Sequence, residues 1–405
     1  MNTHRLGTTA PATRGAEVGA PATGSGVYIH VPYCRRRCPY CDFRIAIRRV
    51  DEGFASAVAA ELRARRGELP WPAATLSLGG GTPSALPPER MAEILEAVRA
   101  EGLSEGAEVS LEANPEDVTA EVAQAWRAAG VTRVSLGVQS FDDEVLAWLG
   151  RAHRGARARD AVAAVRDAGI AQVGVDLIAG VPGEEPERLR RDVATADALG
   201  VGHVSAYLLT VEEGTPLVRL IARGARARVD DDAQADAYEH LQERLSAHGW
   251  RQYEVSNWAR PGCESRHNRL YWAHQPYLGL GPGAHSMREL EDGSVLRRNN
   301  IASLDAWLVD PAKAAHEDEV LLPPHALREA VAFGLRDLGR GVDVHALAAR
   351  RRSDPQPVLE VLALALDRGD IVADHGGRVL RLSARGARFA DRIARDVLAA
   401  GGDRR

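Results

Sequence analysis

The sequence predicts an α/β protein built around parallel strands, on three observations. Six short β-rich runs recur through the N-terminal half, each followed by a stretch whose apolar residues recur at helical spacing. Several runs also empty directly into polar or glycine-rich loops. Strand–helix alternation of this kind implies parallel strands joined by right-handed crossovers. Two architectures satisfy it: a doubly wound sheet, or a TIM-like barrel left incomplete at six units.

The strands are expected at residues 27–31 (VYIHV), 75–78 (TLSL), 108–112 (EVSLE), 133–138 (RVSLGV), 172–178 (QVGVDLI) and 203–208 (HVSAYL). Helices are expected at 90–100, 120–129, 157–168 and 186–199, and Gly130, Gly169 and Gly200 stop three of them near the C-cap. The strands run into HVPYC, GGGTPS, EANPE, GVQSFD and DLIAGVPG. In both architectures ligands bind at the C-terminal ends of the strands, so these loops collect on one face.

Beyond about residue 300 the pattern changes. Helices are expected at 324–338, 343–351 and 357–368, then strands at 370–374 and 378–382 across a His375-Gly376-Gly377 turn, then a final helix at 385–399. This is a smaller α+β, winged-helix-like module. No basic recognition helix accompanies it, so no nucleic acid is expected as a partner.

Composition narrows the function class. The 405 residues are 45% hydrophobic and 26% charged, with a formal net charge of −5. That is the balance of a soluble globular protein, without the basic excess of a dedicated nucleic-acid binder. Lys313 is the one lysine, and every other basic residue is arginine. No stretch approaches the roughly 18 apolar residues of a membrane span. Residues 1–26 lack the apolar region of a signal peptide and read as a disordered leader, so the expected location is cytoplasmic.

Three of the four cysteines, Cys34, Cys38 and Cys41, fall in YCRRRCPYCDF immediately after the first strand; Cys263 stands alone. Clustered thiols in a reducing compartment point to metal or redox chemistry. A 4Fe-4S cluster normally takes four cysteines. Three leave one iron open to a small chelator carrying adjacent amino and carboxylate groups. Zinc held by these cysteines and His30 is the alternative on spacing alone, and Cys263 is a further candidate ligand. Gly79-Gly80-Gly81-Thr82-Pro83 follows the second strand, where consecutive glycines let the backbone approach a ligand closely. Glu112, Gln139 and Asp176 end later strands, where they suit a nucleoside pocket.

YIHVPYCRRRCPYCDF, GGGTPS, LEANP, GVQSFDDEVLAWLGRAH, DLIAGVPG, SAYLLTVEEGTPL and YLGLGPGAHS resemble, in order, the radical S-adenosylmethionine proteins related to oxygen-independent coproporphyrinogen oxidase. The resemblance spans about residues 27–390, and within the group it is strongest to the HemW branch, regarded as heme chaperones. It implies an incomplete TIM-like (β/α)6 radical SAM barrel with its extension over 27–298, and a HemN-like domain over 299–405. It implies a 4Fe-4S cluster on Cys34, Cys38 and Cys41, with S-adenosylmethionine held at Tyr28, Tyr40, Gly80 and Glu112. Gly81, Thr82, Gln139, Arg151 and Asp176 match positions around a second S-adenosylmethionine in the oxidase. No catalytic residue is assigned.

Two departures from the oxidase set the branch. The oxidase has another cysteine two residues past its third cluster cysteine, where this sequence has Phe43, and its N-terminal arm is longer. The HNxxYW segment, with His267, Asn268, Tyr271 and Trp272, is associated with heme handling in the HemW branch. Imidazole is a suitable axial ligand, indole and phenol offer flat surface to a porphyrin, and Arg266 or Arg269 suits the propionates. The resemblance therefore implies a heme chaperone that delivers heme to respiratory enzymes, with transient membrane-side contact and a homodimer both compatible. The enzymatic alternative is oxygen-independent coproporphyrinogen III oxidase, forming protoporphyrinogen IX by radical decarboxylation.

Overall fold

The computed structural model describes residues 24–183, 185–374 and 376–401; most of the expected leader at 1–26, and His375 of the expected turn, lie outside them. Strands β1 (Gly26–Val31), β2 (Ala73–Gly80), β3 (Leu103–Ala113), β4 (Arg133–Gln139), β5 (Gln172–Ala179) and β6 (His203–Leu208) are parallel neighbours in chain order. All six expected strands are present. Their crossovers carry α1 (Phe54–Arg65), α2 (Pro88–Gly102), α3 (Ala120–Ala128), α4 (Asp143–Leu149), α5 (Gly155–Asp167) and α6 (Pro186–Ala198). Val27, Ile29, Val31, Leu76, Leu78, Val134, Leu136 and Val175 are fully covered or nearly so, as expected of parallel strands sandwiched by other layers.

After β6 come α7 (Pro216–Ala222), α8 (Asp231–Ala247), β7 (Arg251–Glu254), β8 (Asn257–Ala259), α9 (Arg266–Trp272), β9 (Tyr277–Leu280), β10 (His285–Glu289), β11 (Val295–Asn300), α10 (Leu304–Val309) and β12 (Ala315–Leu321). β9 joins the far side of β1 in parallel, and β10, β11 and β12 extend the sheet antiparallel beyond it. β8 and β7 extend the other end. The strand order is β12-β11-β10-β9-β1-β2-β3-β4-β5-β6-β8-β7, with edges at β12 and β7: a partial barrel that does not close.

The boundary expected at residue 299 falls inside β11. Residues up to Leu321 hydrogen-bond into the large sheet, so the C-terminal module begins with α11 (Pro323–Gly334). It continues through β13 (Val342–Asp343), α12 (Val344–Arg351), α13 (Gln356–Asp367), β14 (Ile371–Ala373), β15 (Val379–Leu382), α14 (Ala384–Ala387) and α15 (Ala390–Leu398). Its strands form a small antiparallel sheet, β13-β15-β14. Two expected helices are revised. The 324–338 helix stops at Gly334, where Asp337 Oδ1 accepts from the backbone N–H groups of Gly339 and Arg340 and turns the chain. The 385–399 helix is two, because Gly386 sits against the Asp370 carbonyl and the chain re-aims at Phe389 before α15.

One buried polar network joins α1 to the strands beyond β1. Arg65 donates to Glu61 Oε1 at 2.8 Å, to the Gly279 carbonyl at 3.0 Å, to Asn300 Oδ1 at 2.8 Å and to Ser286 Oγ at 2.9 Å. Glu61 also accepts from the Gly281 N–H at 2.9 Å, from Trp307 Nε1 at 2.8 Å and from Asn300 Nδ2 at 2.7 Å. A buried ion pair adds little net stability over an apolar pair, but removing one partner strands the other and its donors. Glu61→Ala is therefore expected to lower unfolding free energy by about 3 kcal/mol, read by urea denaturation, with Glu61→Gln losing less.

Candidate functional site: two adjoining cavities

The loop after β1 is pinched at its base. Ala46 N–H donates to the Pro32 carbonyl at 2.8 Å and Cys34 N–H to the Ala46 carbonyl at 3.0 Å, so residues 34–46 form a closed excursion above the sheet. A Cys41 N–H to Cys38 carbonyl bond of 3.1 Å turns the chain inside it, and Leu217 N–H holds Pro39 from outside at 2.8 Å. Cys34, Cys38 and Cys41 all line one cavity of about 940 Å³, open mouth included, at the C-terminal ends of β1–β5. Burial pushes the Cys34 and Cys41 thiols above their ordinary range.

The rest of the cavity wall is polar and comes from separate strands. Gly80 ends β2, and Gly81 and Thr82 follow it; Glu112 lies near the end of β3 and Asn114 just after it; Gln139 ends β4; Asp176 lies on β5; Arg151 and Tyr40 close the side. A side chain on Gly80 would meet His30 Nδ1 at 2.5 Å, and one on Gly81 would meet the Pro32 carbonyl at 2.7 Å, so both must be glycine for β2 to lie against β1 here. Cys34 Sγ lies 3.2 Å from Thr82 Oγ1, and Arg151 Nη1 lies 3.5 Å from Cys38 Sγ. Arg151 Nη2 donates to Asn114 Oδ1 at 2.7 Å and to the Gly137 carbonyl at 2.8 Å, while its Nε is buried without a partner among the described residues. Gln139 has a φ of 66°, a left-handed backbone that costs a non-glycine residue about 1 kcal/mol.

Two carboxylates face each other across this wall. Burial, reinforced by the charge of Asp176, pushes Glu112 up to about 7, against a weak hydrogen bond from Gly80 N–H at 3.3 Å. Burial also raises Asp176, whose Oδ1 accepts from Ser135 at 2.9 Å. The arrangement suits a ligand that brings positive charge, hydroxyl donors and its own carboxylate: the carboxylates take the first two and Arg151 Nε the third.

The expected site residues divide. Tyr40, Gly80, Gly81, Thr82, Glu112, Gln139, Arg151 and Asp176 line the cysteine cavity; Tyr28 lies against Glu112 but lines the neighbouring cleft. His30 lines that cleft too; its ring packs against Gly80 but is not part of the cysteine cavity wall. Cys263 lies against Gly202, just before β6, at the opposite edge of the parallel sheet from the cysteine loop. It is therefore out of reach of a shared metal. Asn114 was not singled out from LEANP, yet it ties Arg151 to Thr82, donating to Thr82 Oγ1 at 3.2 Å.

The second cavity is an aromatic cleft lined by Tyr28, His30, Phe43, Arg44, Tyr271, Trp272, Tyr277, His285 and Phe333. It encloses about 1220 Å³, open mouth included, and shares Phe43 with the cysteine cavity. Phe43 is 60% exposed. Tyr271 packs edge-on against Tyr277 at 4.7 Å between centroids, and Trp272 stacks on Phe333 at 6.0 Å.

His267 is not presented to this cleft. It is 2% exposed, with Nδ1 2.7 Å from Thr75 Oγ1 and Nε2 2.8 Å from the Tyr271 hydroxyl. Burial pushes it down to about 4, so it is a neutral imidazole with both nitrogens occupied. Metal ligation there would break a buried hydrogen bond. Glu108 fixes the start of α9, accepting from the His267 N–H at 3.0 Å and the Arg266 N–H at 3.2 Å while paired with Arg133 at 3.0 Å. Asn268 does not line the cleft, Arg266 donates to the Gly106 carbonyl, and Arg269 faces Asp337 and Glu264. The arginines that do line it are Arg44 and Arg297. The motif is thus half anchor (His267) and half cleft wall (Tyr271, Trp272).

Glu112 makes stability depend on pH. Its folded pKa lies above its ordinary 4.5, so the folded chain binds the extra proton between 4.5 and 7 and loses stability as pH rises through that window. Without added ligand, Glu112→Gln is expected to be more stable than the parent at pH 8, by roughly 2–3 kcal/mol, and little changed near pH 4.5. Urea denaturation at the two pH values checks it; an equal difference at both would show that folding does not raise the Glu112 carboxyl.

Residues 28–196 match the Radical SAM superfamily. The chain is 40% identical to heme chaperone HemW of Mycobacterium tuberculosis, covering 94% of this chain and 96% of that one. It is 35% identical to heme chaperone HemW of Synechocystis, covering 85% of each. Among solved structures, coproporphyrinogen III oxidase (HemN) from Escherichia coli, described as a radical SAM enzyme, superposes with a TM-score of 0.75 over 94% of this chain and 91% of that one. At 20% identity that likeness is one of fold. A partial radical SAM barrel with a HemN-like C-terminal module, aligned with its relatives over nearly its whole length, places this chain in the HemW heme-chaperone family.

Proposed function

We propose that this protein is a heme chaperone that carries a 4Fe-4S cluster and S-adenosylmethionine in the cysteine cavity, and heme in the aromatic cleft, for delivery to heme-requiring respiratory enzymes. The observation that carries the reading is the adjacency of two cavities of opposite chemistry across Phe43. The family names of the relatives support heme as cargo, and the radical SAM match supports the cofactors.

Cys34, Cys38 and Cys41 would hold three irons. The cluster, when bound, supplies one further iron with an open coordination position for the cofactor's amino and carboxylate groups. The chain's own residues do the rest. Gly80 and Gly81 offer backbone without side-chain bulk, Arg151 Nε offers a donor with no other partner, and Glu112 and Asp176 offer acceptors for hydroxyl groups. An ammonium or sulfonium charge entering the cavity also favours ionised Glu112, which relieves the cost of keeping it beside Asp176. Heme would lie against Tyr271 and Trp272, with His267 supporting their helix from behind; Asn268 sits beside it on the same helix.

Among the described residues no helix is long and apolar enough to cross a membrane. A cytoplasmic location with transient contact at membrane-side recipients fits the reading, as does a homodimer.

The test uses anaerobically reconstituted protein. One sample is titrated with ferric heme; another receives coproporphyrinogen III, S-adenosylmethionine and a reductant. The expected outcome is saturable heme binding with no protoporphyrinogen IX formed, and loss of cluster iron in Cys34→Ala, Cys38→Ala and Cys41→Ala. Catalytic decarboxylation would overturn the reading in favour of the oxidase.

A further inference from the structure

Four histidines line or border the aromatic cleft, and three of them are engaged. His267 bonds Thr75 and Tyr271, as described above. His274 is buried between Glu329, 3.0 Å from Nε2, and Arg351, 2.7 Å from Nδ1. His30 lies 3.3 Å from the Tyr28 hydroxyl through Nδ1 and 3.3 Å from the Arg44 carbonyl through Nε2. His285 is different: it lines the cleft from the start of β10, is exposed, and its ring has no hydrogen-bond partner among the described residues.

The segment that carries His285 is held firmly. It belongs to the YLGLGPGAHS run, whose glycines the cysteine cavity does not use. A side chain on Gly279 would overlap the His285 carbonyl, and one on Gly281 would overlap the His30 carbonyl. Those residues are therefore glycine so that β9, β10 and β1 can close up at this point. The loop between β9 and β10 is then locked from behind. Gly281 N–H donates to the buried Glu61 carboxylate at 2.9 Å, Asn300 Nδ2 to the Gly281 carbonyl at 2.7 Å, and Asn300 N–H to the Ala284 carbonyl at 2.8 Å. An unpartnered imidazole on such a support is pre-organised for a ligand instead of for packing. Partial desolvation of the ring against the cleft wall, with Arg297 and Arg44 nearby, lowers its pKa, which keeps a nitrogen lone pair available.

Among the described residues lining the cleft, one cation is left to meet a porphyrin carboxylate. Arg297 is already paired with Glu319 and Glu329. Arg44 is exposed and has no ion pair or side-chain hydrogen bond among the described residues. The flat walls are Tyr271, Trp272, Tyr277 and Phe333.

We propose that His285 is the axial ligand to heme iron in this cleft, and that Arg44 pairs with a heme propionate. Coordination is a donation of the neutral imidazole lone pair to ferric iron in place of water, with no change of oxidation state. The proposal rests on the heme-carrying reading and deepens it by naming the ligand.

Reconstituted full-length protein and its variants are titrated with hemin and, separately, with metal-free protoporphyrin IX and its dimethyl ester. Absorption and electron paramagnetic resonance report the ligand. The parent is expected to give an imidazole-ligated spectrum. His285→Ala should lose that signature and weaken hemin binding at least about tenfold, since even the supporting partner of a metal ligand is worth that much. Added imidazole should restore the signature, and metal-free protoporphyrin should bind as before. His285→Met should replace the imidazole signature with a thioether one, which covers the case in which the alanine variant folds poorly. His267→Gln should keep the parent spectrum. Arg44→Glu should weaken hemin and protoporphyrin alike but spare the dimethyl ester.

An unchanged imidazole signature in both His285 variants would overturn the ligand assignment and leave the chaperone reading standing. Arg44→Glu without effect on either free-acid porphyrin would overturn the propionate contact. A parent protein that binds no hemin would overturn the chaperone reading and the ligand with it.

Discussion

Strand β1 is the constraint on which the rest depends. Among the described residues it is the strand flanked by two parallel partners that come from opposite ends of the barrel sequence, β2 on one side and β9 on the other. A parallel strand must release its chain at the C-terminal edge, and so must its neighbours, so three loops crowd one place. Small residues are the way to fit them: Gly80 and Gly81 after β2, Gly279 and Gly281 in and after β9. The cysteine loop of β1 rises between these two glycine-rich turns. That is why one face of the molecule offers a polar cavity on one flank of the loop and an aromatic cleft on the other.

The electrostatics follow from the same crowding. Inside the polar cavity, Glu112 and Asp176 are buried closely enough that the charge on Asp176 raises Glu112. Stable folding alone would not place two carboxyl groups this way, nor a Gln139 with left-handed backbone beside them. The stability given up here is recovered in ordinary places, chiefly the layers of Val, Leu and Ile between sheet and helices. Local strain and raised carboxyl groups gathered around one cavity, with well-packed surroundings, mark a site shaped for a ligand.

Much of this was legible in the residues. The strands are short, apolar and punctuated by Gly, and period and punctuation alone locate all six within a few residues. The cysteine cavity was legible because its members sit at strand ends, and a parallel fold sends all strand ends to one side. Less legible were features that depend on long-range pairing. Nothing local in residues 299–321 says that they complete the large sheet, since an edge strand needs only its neighbour to define it. Nothing local places Phe333 opposite Trp272, or Tyr277 opposite Tyr271. His267 shows how little a motif says of its neighbours: its ring meets Thr75, which lies far away in sequence but adjacent in the fold. Only the neighbours distinguish a ligand histidine from a structural one.

A barrel that stops short of closure leaves two strands with backbone groups facing outward, and such borders invite other strands to add on. At the β12 border the chain places Glu317, Asp318 and Glu319 in succession. Asp318 and Glu319 are held by Arg298 and Arg297 on β11, directly opposite in register. An approaching strand would meet a row of acids already oriented by their own arginines, and would have to strip water from them before pairing. The open border therefore carries its own protection against sheet-to-sheet aggregation, written in the charge order of a single strand.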